Sequence, residues 1–113
     1  MQNEALNSMS VANGTFSNNG HDGVTGKFSI DQEVFKFTGW VHPSVDDFTS
    51  SEATLTYSDE NDLTGDQAYK GVMGREDFEI KFENGVVLTG KLATPGFVGG
   101  PAINGVAKWA ARF

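Results

Sequence analysis

Apolar and polar side chains alternate most regularly at Phe78-Glu79-Ile80-Lys81-Phe82-Glu83, where Phe78, Ile80 and Phe82 point one way and the charged residues the other. A period of two is the signature of a strand with one face buried and one in water. Asn84-Gly85 follows, suited to the two positive-φ positions of a type I′ turn. Val86, Leu88, Gly90 and Leu92 then share a core face while Val87, Thr89 and Lys91 face out. The pattern predicts a β-hairpin over 78–92.

The same logic predicts a second hairpin around Ser29 to Val34, joining strands Val24 to Ile30 and Val34 to Val41. In the later strand Phe35, Phe37 and Gly39 lie on one face, and Val34, Lys36, Thr38 and Trp40 on the other. Ala53, Leu55 and Tyr57 alternate with Thr54 and Thr56 in a further strand. Asn13-Gly14, Asp22-Gly23 and Asn104-Gly105 each precede a run of β-formers and read as three more hairpin corners. Ser58 to Asp77 is acidic and weakly periodic, which predicts a long excursion from the sheet with a short strand over Ala68 to Met73. At the chain's end Val106, Trp109, Ala110 and Phe113 fit helical spacing, while Ala107, Trp109, Ala111 and Phe113 fit a strand. The strand is expected, because two turns of isolated helix are marginal in water.

Thr-Gly recurs inside three strand patterns, at Thr25-Gly26, Thr38-Gly39 and Thr89-Gly90, and Val24 to Phe28 faintly echoes Leu88 to Leu92. Glycine within a strand marks a bulge, a bend or a close backbone approach, so strongly coiled strands are expected. The echo is weak enough to arise by chance in a chain rich in Gly and Thr.

Composition agrees: 14 Gly, nine Phe, two Trp and two Tyr in 113 residues favour short strands, tight turns and an aromatic core. The length suits one domain. Residues 1–10 read as a flexible N-terminal tail and 11–113 as a single all-β domain, an antiparallel β-sandwich or small β-barrel of about six to eight strands. A net charge of −7 repels phosphate backbones and anionic membranes, so neither nucleic acid nor a membrane is an expected partner. The absence of cysteine removes thiolate nucleophiles and cysteine-ligated metals. The start of the sequence lacks a basic region followed by an apolar run, so a cytoplasmic location is expected, although a mature exported chain would read alike.

Candidate chemistry is sparse. Only His21 and His42 could serve a serine-hydrolase arrangement, and no Gly-x-Ser-x-Gly element occurs. Asp59 to Asp66 resembles a calcium loop in composition, but its fifth position is Leu63 and its glycine comes one place late. No metal or cofactor is therefore expected. His42 precedes Pro43, Asp46 and Asp47, which makes it the candidate acid or base, with Asp47 or Arg75 assisting. The plainer reading of His42 is a strand-end residue, and that of Arg75 a surface ion pair with Glu76 or Asp77. Trp40, Tyr57, Tyr69 and Trp109 join large rings to polar tips, and Phe97 sits in an apolar Gly-rich stretch. These five are the candidate ligand or interface residues, with core packing as the alternative use. The leading expectation is a non-catalytic binding or interaction module for a protein or small ligand. The alternatives are a small barrel enzyme of isomerase or lyase type using His42, and a structural subunit of a homo-oligomer.

Overall fold

The computed structural model describes residues 9–18, 23–42, 48–74, 76–92 and 102–110. Eight strands carry most of them: β1 (Ser10–Asn18), β2 (Gly23–Ile30), β3 (Glu33–His42), β4 (Thr49–Tyr57), β5 (Gly65–Met73), β6 (Asp77–Phe82), β7 (Val87–Lys91) and β8 (Ala102–Trp109). They close into an antiparallel barrel in the order β1-β2-β3-β8-β5-β6-β7-β4. Two consecutive Greek keys give this order, β4-β1-β2-β3 followed by β8-β5-β6-β7, in each of which the fourth strand returns beside the first. The keys join along two seams, β3 against β8 and β7 against β4.

Both hairpins read from the alternation are present. β2 and β3 pair through Ile30 and Glu33 around a two-residue turn, and β6 and β7 flank Asn84-Gly85, where Gly85 takes φ 96°. The expected strand near the end of the chain is present as β8, with Ala107 and Trp109 inward, while Ala111 and Phe113 lie outside the described residues. Two expected corners are not corners. Asn13-Gly14 lies inside β1 and Asn104-Gly105 inside β8, because these glycines serve the wall. A Cβ on Gly14 would stand 1.9 Å from the Lys27 carbonyl oxygen, and one on Gly105 would stand 1.9 Å from that of Trp40. Only a residue without a side chain lets the neighbouring backbone come so near. Asp22 of the fourth expected corner lies outside the described residues, as do residues 1–8. The acidic excursion is also shorter than expected, since β5 begins at Gly65.

The barrel interior is packed with rings. Phe37 of β3 lies 5.9 Å from Phe16, 6.3 Å from Phe28, 5.8 Å from Phe82 and 4.9 Å from Trp109, so rings from five strands meet at one hub. Phe16 adds Phe48 and Phe78 at 5.3 and 5.2 Å. Each such contact contributes about 0.5–1.5 kcal/mol beyond the area it buries. Inward glycines on β1, β2, β3, β5, β7 and β8 (Gly14, Gly26, Gly39, Gly71, Gly90 and Gly105) alternate with these large side chains, the small-and-large filling of a narrow barrel. Between β4 and β5 the chain crosses one end of the barrel. A 3₁₀ turn, Glu60–Asp62, is capped by the Asp59 carboxylate, which accepts from the Asn61 N–H at 2.9 Å. Leu63, 1% exposed, then fills the barrel end. Asn84 fastens the crossing to the β6–β7 turn by donating to the Asp62 carbonyl at 2.8 Å. Ser50, next to a register shift between β1 and β4, is buried, and its hydroxyl has no hydrogen-bond partner among the described residues.

Candidate functional site

Strand parity decides which candidates can meet a ligand. On β3, Phe35, Phe37 and Val41 fill the barrel, which turns Trp40 and His42 outward. Trp40 is 49% exposed and His42 is exposed at the last position of the strand. Tyr57, Tyr69 and Trp109 take inward positions and are buried. The four aromatic candidates therefore do not share a surface: Trp40 stands outside and the other three belong to the core. Asp47, Arg75 and Phe97 lie outside the described residues, as do His21 and Asp46.

Around Trp40 the cross-strand register builds a continuous outer face on β3, β8, β5 and β6. Trp40 is paired with Val106 and Val106 with Ala68, forming an apolar row across three strands. The next row places His42 beside Asn104, Asn104 beside Lys70, and Lys70 directly opposite Lys81. One row further, Val72, 50% exposed, lies between Ala102 and Glu79. An open groove of about 690 Å³ runs along the β5–β6 side of this wall, lined by Ala68, Lys70, Val72, Glu79, Lys81 and Glu83 among others. Two like charges directly opposite on a sheet are mutually unfavourable, but Glu79 and Glu83 line the same groove on either side of Lys81, so this face carries both signs of charge.

Tyr69 supports this wall from beneath. Its hydroxyl passes under Gly105 and donates to the Trp40 carbonyl at 2.8 Å, tying β5 to β3 across the intervening β8. Burial pushes its pKa well above the ordinary tyrosine value of 10.0. Tyr69 is thus a positioning residue for the strand that displays Trp40.

A second, polar groove of about 690 Å³ lies at the rim, where β2 and β4 end and β1 begins. Ser10, Ser29, Asp31, Ser58, Asp59, Glu60 and Asn61 line it together with Tyr57. The Tyr57 hydroxyl is held protonated by burial and by the negative charges of Glu60 and Asp31. The charge alternation of the sequence did not single out this rim, because Asp31 and Glu60 meet only once β2 and β4 are both in place.

Among the described residues no group of three or more His, Asp or Glu side chains is arranged to hold a metal ion, and no helix is long and apolar enough to cross a membrane. The molecule these observations define is a closed Greek-key barrel with a filled interior and a tryptophan displayed on its outer wall. No known protein family, no curated protein and no solved structure matches the chain.

Proposed function

We propose that the protein is a non-catalytic binding module whose partner surface is the outer wall of β3, β8, β5 and β6, centred on Trp40. The observation that carries this reading is a tryptophan half in solvent on the outside of a barrel whose inside is occupied by its own side chains. Binding modules of small β-proteins use a cavity, an exposed strand edge or a wall. Here the described interior is ring-packed, and the closed strand order offers no free edge. Among the described residues the outer wall offers a half-exposed tryptophan for such a contact. Tryptophan is the residue type most enriched among those that dominate interface energies, and the row Trp40–Val106–Ala68 extends its apolar area across neighbouring strands. Lys70 and Lys81 beside that row, with Glu79 and Glu83 flanking Lys81, favour a protein partner that presents an apolar side chain within a rim of mixed charge. His42 is exposed at the end of β3, a position that shields a proton transfer little from water and so favours binding over catalysis.

Affinity capture from extracts of the source cells tests the assignment, using three forms of the full chain with matching thermal unfolding. These are wild type, the double variant Trp40→Ala with Lys81→Glu, and the opposite-wall control Asn13→Asp. A partner protein retained by wild type and control but reduced at least about tenfold on the double variant is the expected result, since a buried anchor and a charge contact each contribute on the order of 1–2 kcal/mol. Equal retention by all three forms would overturn the assignment to this wall. If instead the chain retains only itself, and sedimentation shows a dimer that the double variant loses, the same wall joins two copies and the reading becomes that of a homo-oligomer.

A further inference from the structure

The wall that displays Trp40 continues past it onto β2, and there the balance of charge changes. On the β6 side bases and carboxylates alternate, with Glu79 and Glu83 on either side of Lys81. On β2, β3 and β8 the exposed positions of the outer face carry Lys27, Lys36 and Lys108, and no Asp or Glu among the described residues. Glu33 falls on the parity of the core residues Phe35 and Phe37, and Asp31 belongs to the turn beyond. The first outward carboxylate met in the register is Asp66 of β5, opposite Lys108. A chain with 15 acidic and 8 basic side chains thus presents bases alone over three adjacent strands. Lys27 lies directly opposite Lys36, which is unfavourable for the sheet by itself. None of the three lysines forms an ion pair with a described residue. The stretch is continuous with Trp40: Val106 is opposite the tryptophan and Lys108 follows two residues later, a diagonal neighbour on the same face. Lys36 is diagonal to Lys108 in turn, with Lys27 beside it.

We propose that the partner docked on Trp40 is an acidic protein segment, which seats an apolar side chain against the indole and places two or three carboxylates over Lys108, Lys36 and Lys27. This rests on the Trp40 wall being the binding surface and names the chemistry of what the wall takes. The spacing follows from the strand. Trp40 and Lys36 are four residues apart on β3, roughly 13 Å at the rise of an extended chain. An extended partner therefore carries its carboxylates two to four residues from its apolar anchor. Carboxylates of a short segment fit this face better than a polyanion does. The three lysines are a local excess on a molecule of net charge −7, and exposed charges act over about 8–10 Å in physiological salt. A short acidic segment stays within that reach, whereas a phosphate or sulfate polymer runs on past Asp66 and the carboxylates of β6, which repel it.

Fluorescence anisotropy with dye-labelled probes and the full chain, at constant low ionic strength, tests the proposal. The probes are a blocked Phe-Gly-Glu-Asp-Glu peptide, its neutral counterpart Phe-Gly-Gln-Asn-Gln, and hexathymidylate. Saturable binding of the acidic peptide is expected, about tenfold tighter than that of the neutral one, since exposed ion pairs are weak singly and three act together. The triple variant Lys27→Gln, Lys36→Gln, Lys108→Gln should lose that preference and keep the weaker binding through the anchor. Removal of the opposed lysines should leave its thermal unfolding no earlier than that of wild type. Trp40→Ala should weaken both peptides by a similar factor and keep the preference. Equal affinity for the two peptides, or a preference that survives the triple variant, would overturn the acidic partner and leave the Trp40 wall standing. Affinities unchanged by Trp40→Ala would overturn the wall, and with it this inference. Hexathymidylate bound as tightly as the acidic peptide would assign the face to phosphate and overturn the acidic segment. Absence of saturation by either peptide would overturn it as well.

Discussion

Tyr69 illustrates how much one polar atom does in this barrel. Its ring packs 5.8 Å from Phe82, and its hydroxyl spans the glycine gap in β8 to reach the Trp40 carbonyl. Tyr69→Phe removes the donor and leaves a partly buried carbonyl without it, at a cost of about 1–2 kcal/mol. Urea unfolding at neutral pH is expected to show that loss as a lower midpoint with an unchanged slope. The pH dependence follows from the direction of the shift. Burial raises the folded-state pKa of Tyr69 above the ordinary 10.0, so above about pH 10 the unfolded chain gives up a proton that the folded chain keeps. Stability is fully present below that pH and falls as pH rises above it, by at most about 1.4 kcal/mol per unit for one group. Tyr57, also raised, adds to the decline in the same direction. Tyr69→Phe should therefore flatten the alkaline limb; an equally steep limb in the variant would show that Tyr69 is not its source. At this scale the sequence was partly legible. The alternation Ala53, Leu55, Tyr57 and the pairing of Ala107 with Trp109 already placed Tyr57 and Trp109 on core faces, whereas aromatics on both faces of 34–41 left the side of Trp40 open until the structure turned it outward. Residue chemistry alone made all four look like interface anchors, because a ring with a polar tip serves both uses. Parity separates them.

The elements show where local signals suffice and where they fail. The hairpin of β6 and β7 was legible throughout because side-chain alternation and turn chemistry agree there. At the β2–β3 turn they disagree. Asp31 and Gln32 occupy both central positions with φ 51° and 70°, a left-handed pair that glycine or asparagine adopts at little cost and that glutamine does not. The register of the flanking strands, from Gly23 opposite Trp40 to Ile30 opposite Glu33, imposes the turn in spite of its residues. Gln32→Gly should relieve that conformation and stabilise the protein by about 0.5–1 kcal/mol, reduced somewhat by the added freedom of the unfolded chain. A rise of a few degrees in Tm would register it, and an unchanged or lowered Tm would mean that the turn carries no strain. The converse case is Asn13-Gly14 and Asn104-Gly105. Their dipeptides are those of a tight turn, but their glycines are needed where one strand's backbone presses on the next. Nothing within a few residues distinguishes a glycine that turns the chain from one that lets two strands touch, since the difference lies in a partner strand distant in sequence.

At the scale of the whole molecule the two Greek keys repeat a contact as well as a topology. The third strand of each key meets the fourth strand of the other: Gly39 of β3 lies opposite Ala107 of β8, and Gly90 of β7 lies opposite Ala53 of β4. In both places a Cβ on the glycine would collide with the neighbouring backbone, at 2.2 Å from the Val106 carbonyl oxygen and 2.7 Å from that of Glu52. The Thr-Gly pairs at 38–39 and 89–90 are therefore equivalent features of the two halves. The sequence echo between 24–28 and 88–92 instead joins β2 to β7, which hold different places in their keys. Strand order was illegible for this reason: the seams pair segments far apart in the chain, and no dipeptide records them. The seams also predict how the molecule comes apart. Each key alone would expose its own strand of each seam, and each holds only part of the ring cluster, Phe16, Phe28 and Phe37 in the first and Phe78, Phe82 and Trp109 in the second. Unpaired edges and a divided core leave neither key with enough buried surface to offset the entropy of ordering about fifty residues. Fragments 1–58 and 59–113, cut in the crossing between β4 and β5, should each lack a fixed near-ultraviolet dichroism signal and a cooperative transition. Mixed in equal amounts, they should recover both, because the cut spares every seam and every ring contact. Cooperative unfolding of either fragment by itself would mean that one key holds a core of its own and that the shared cluster around Phe37 is not what binds the halves together.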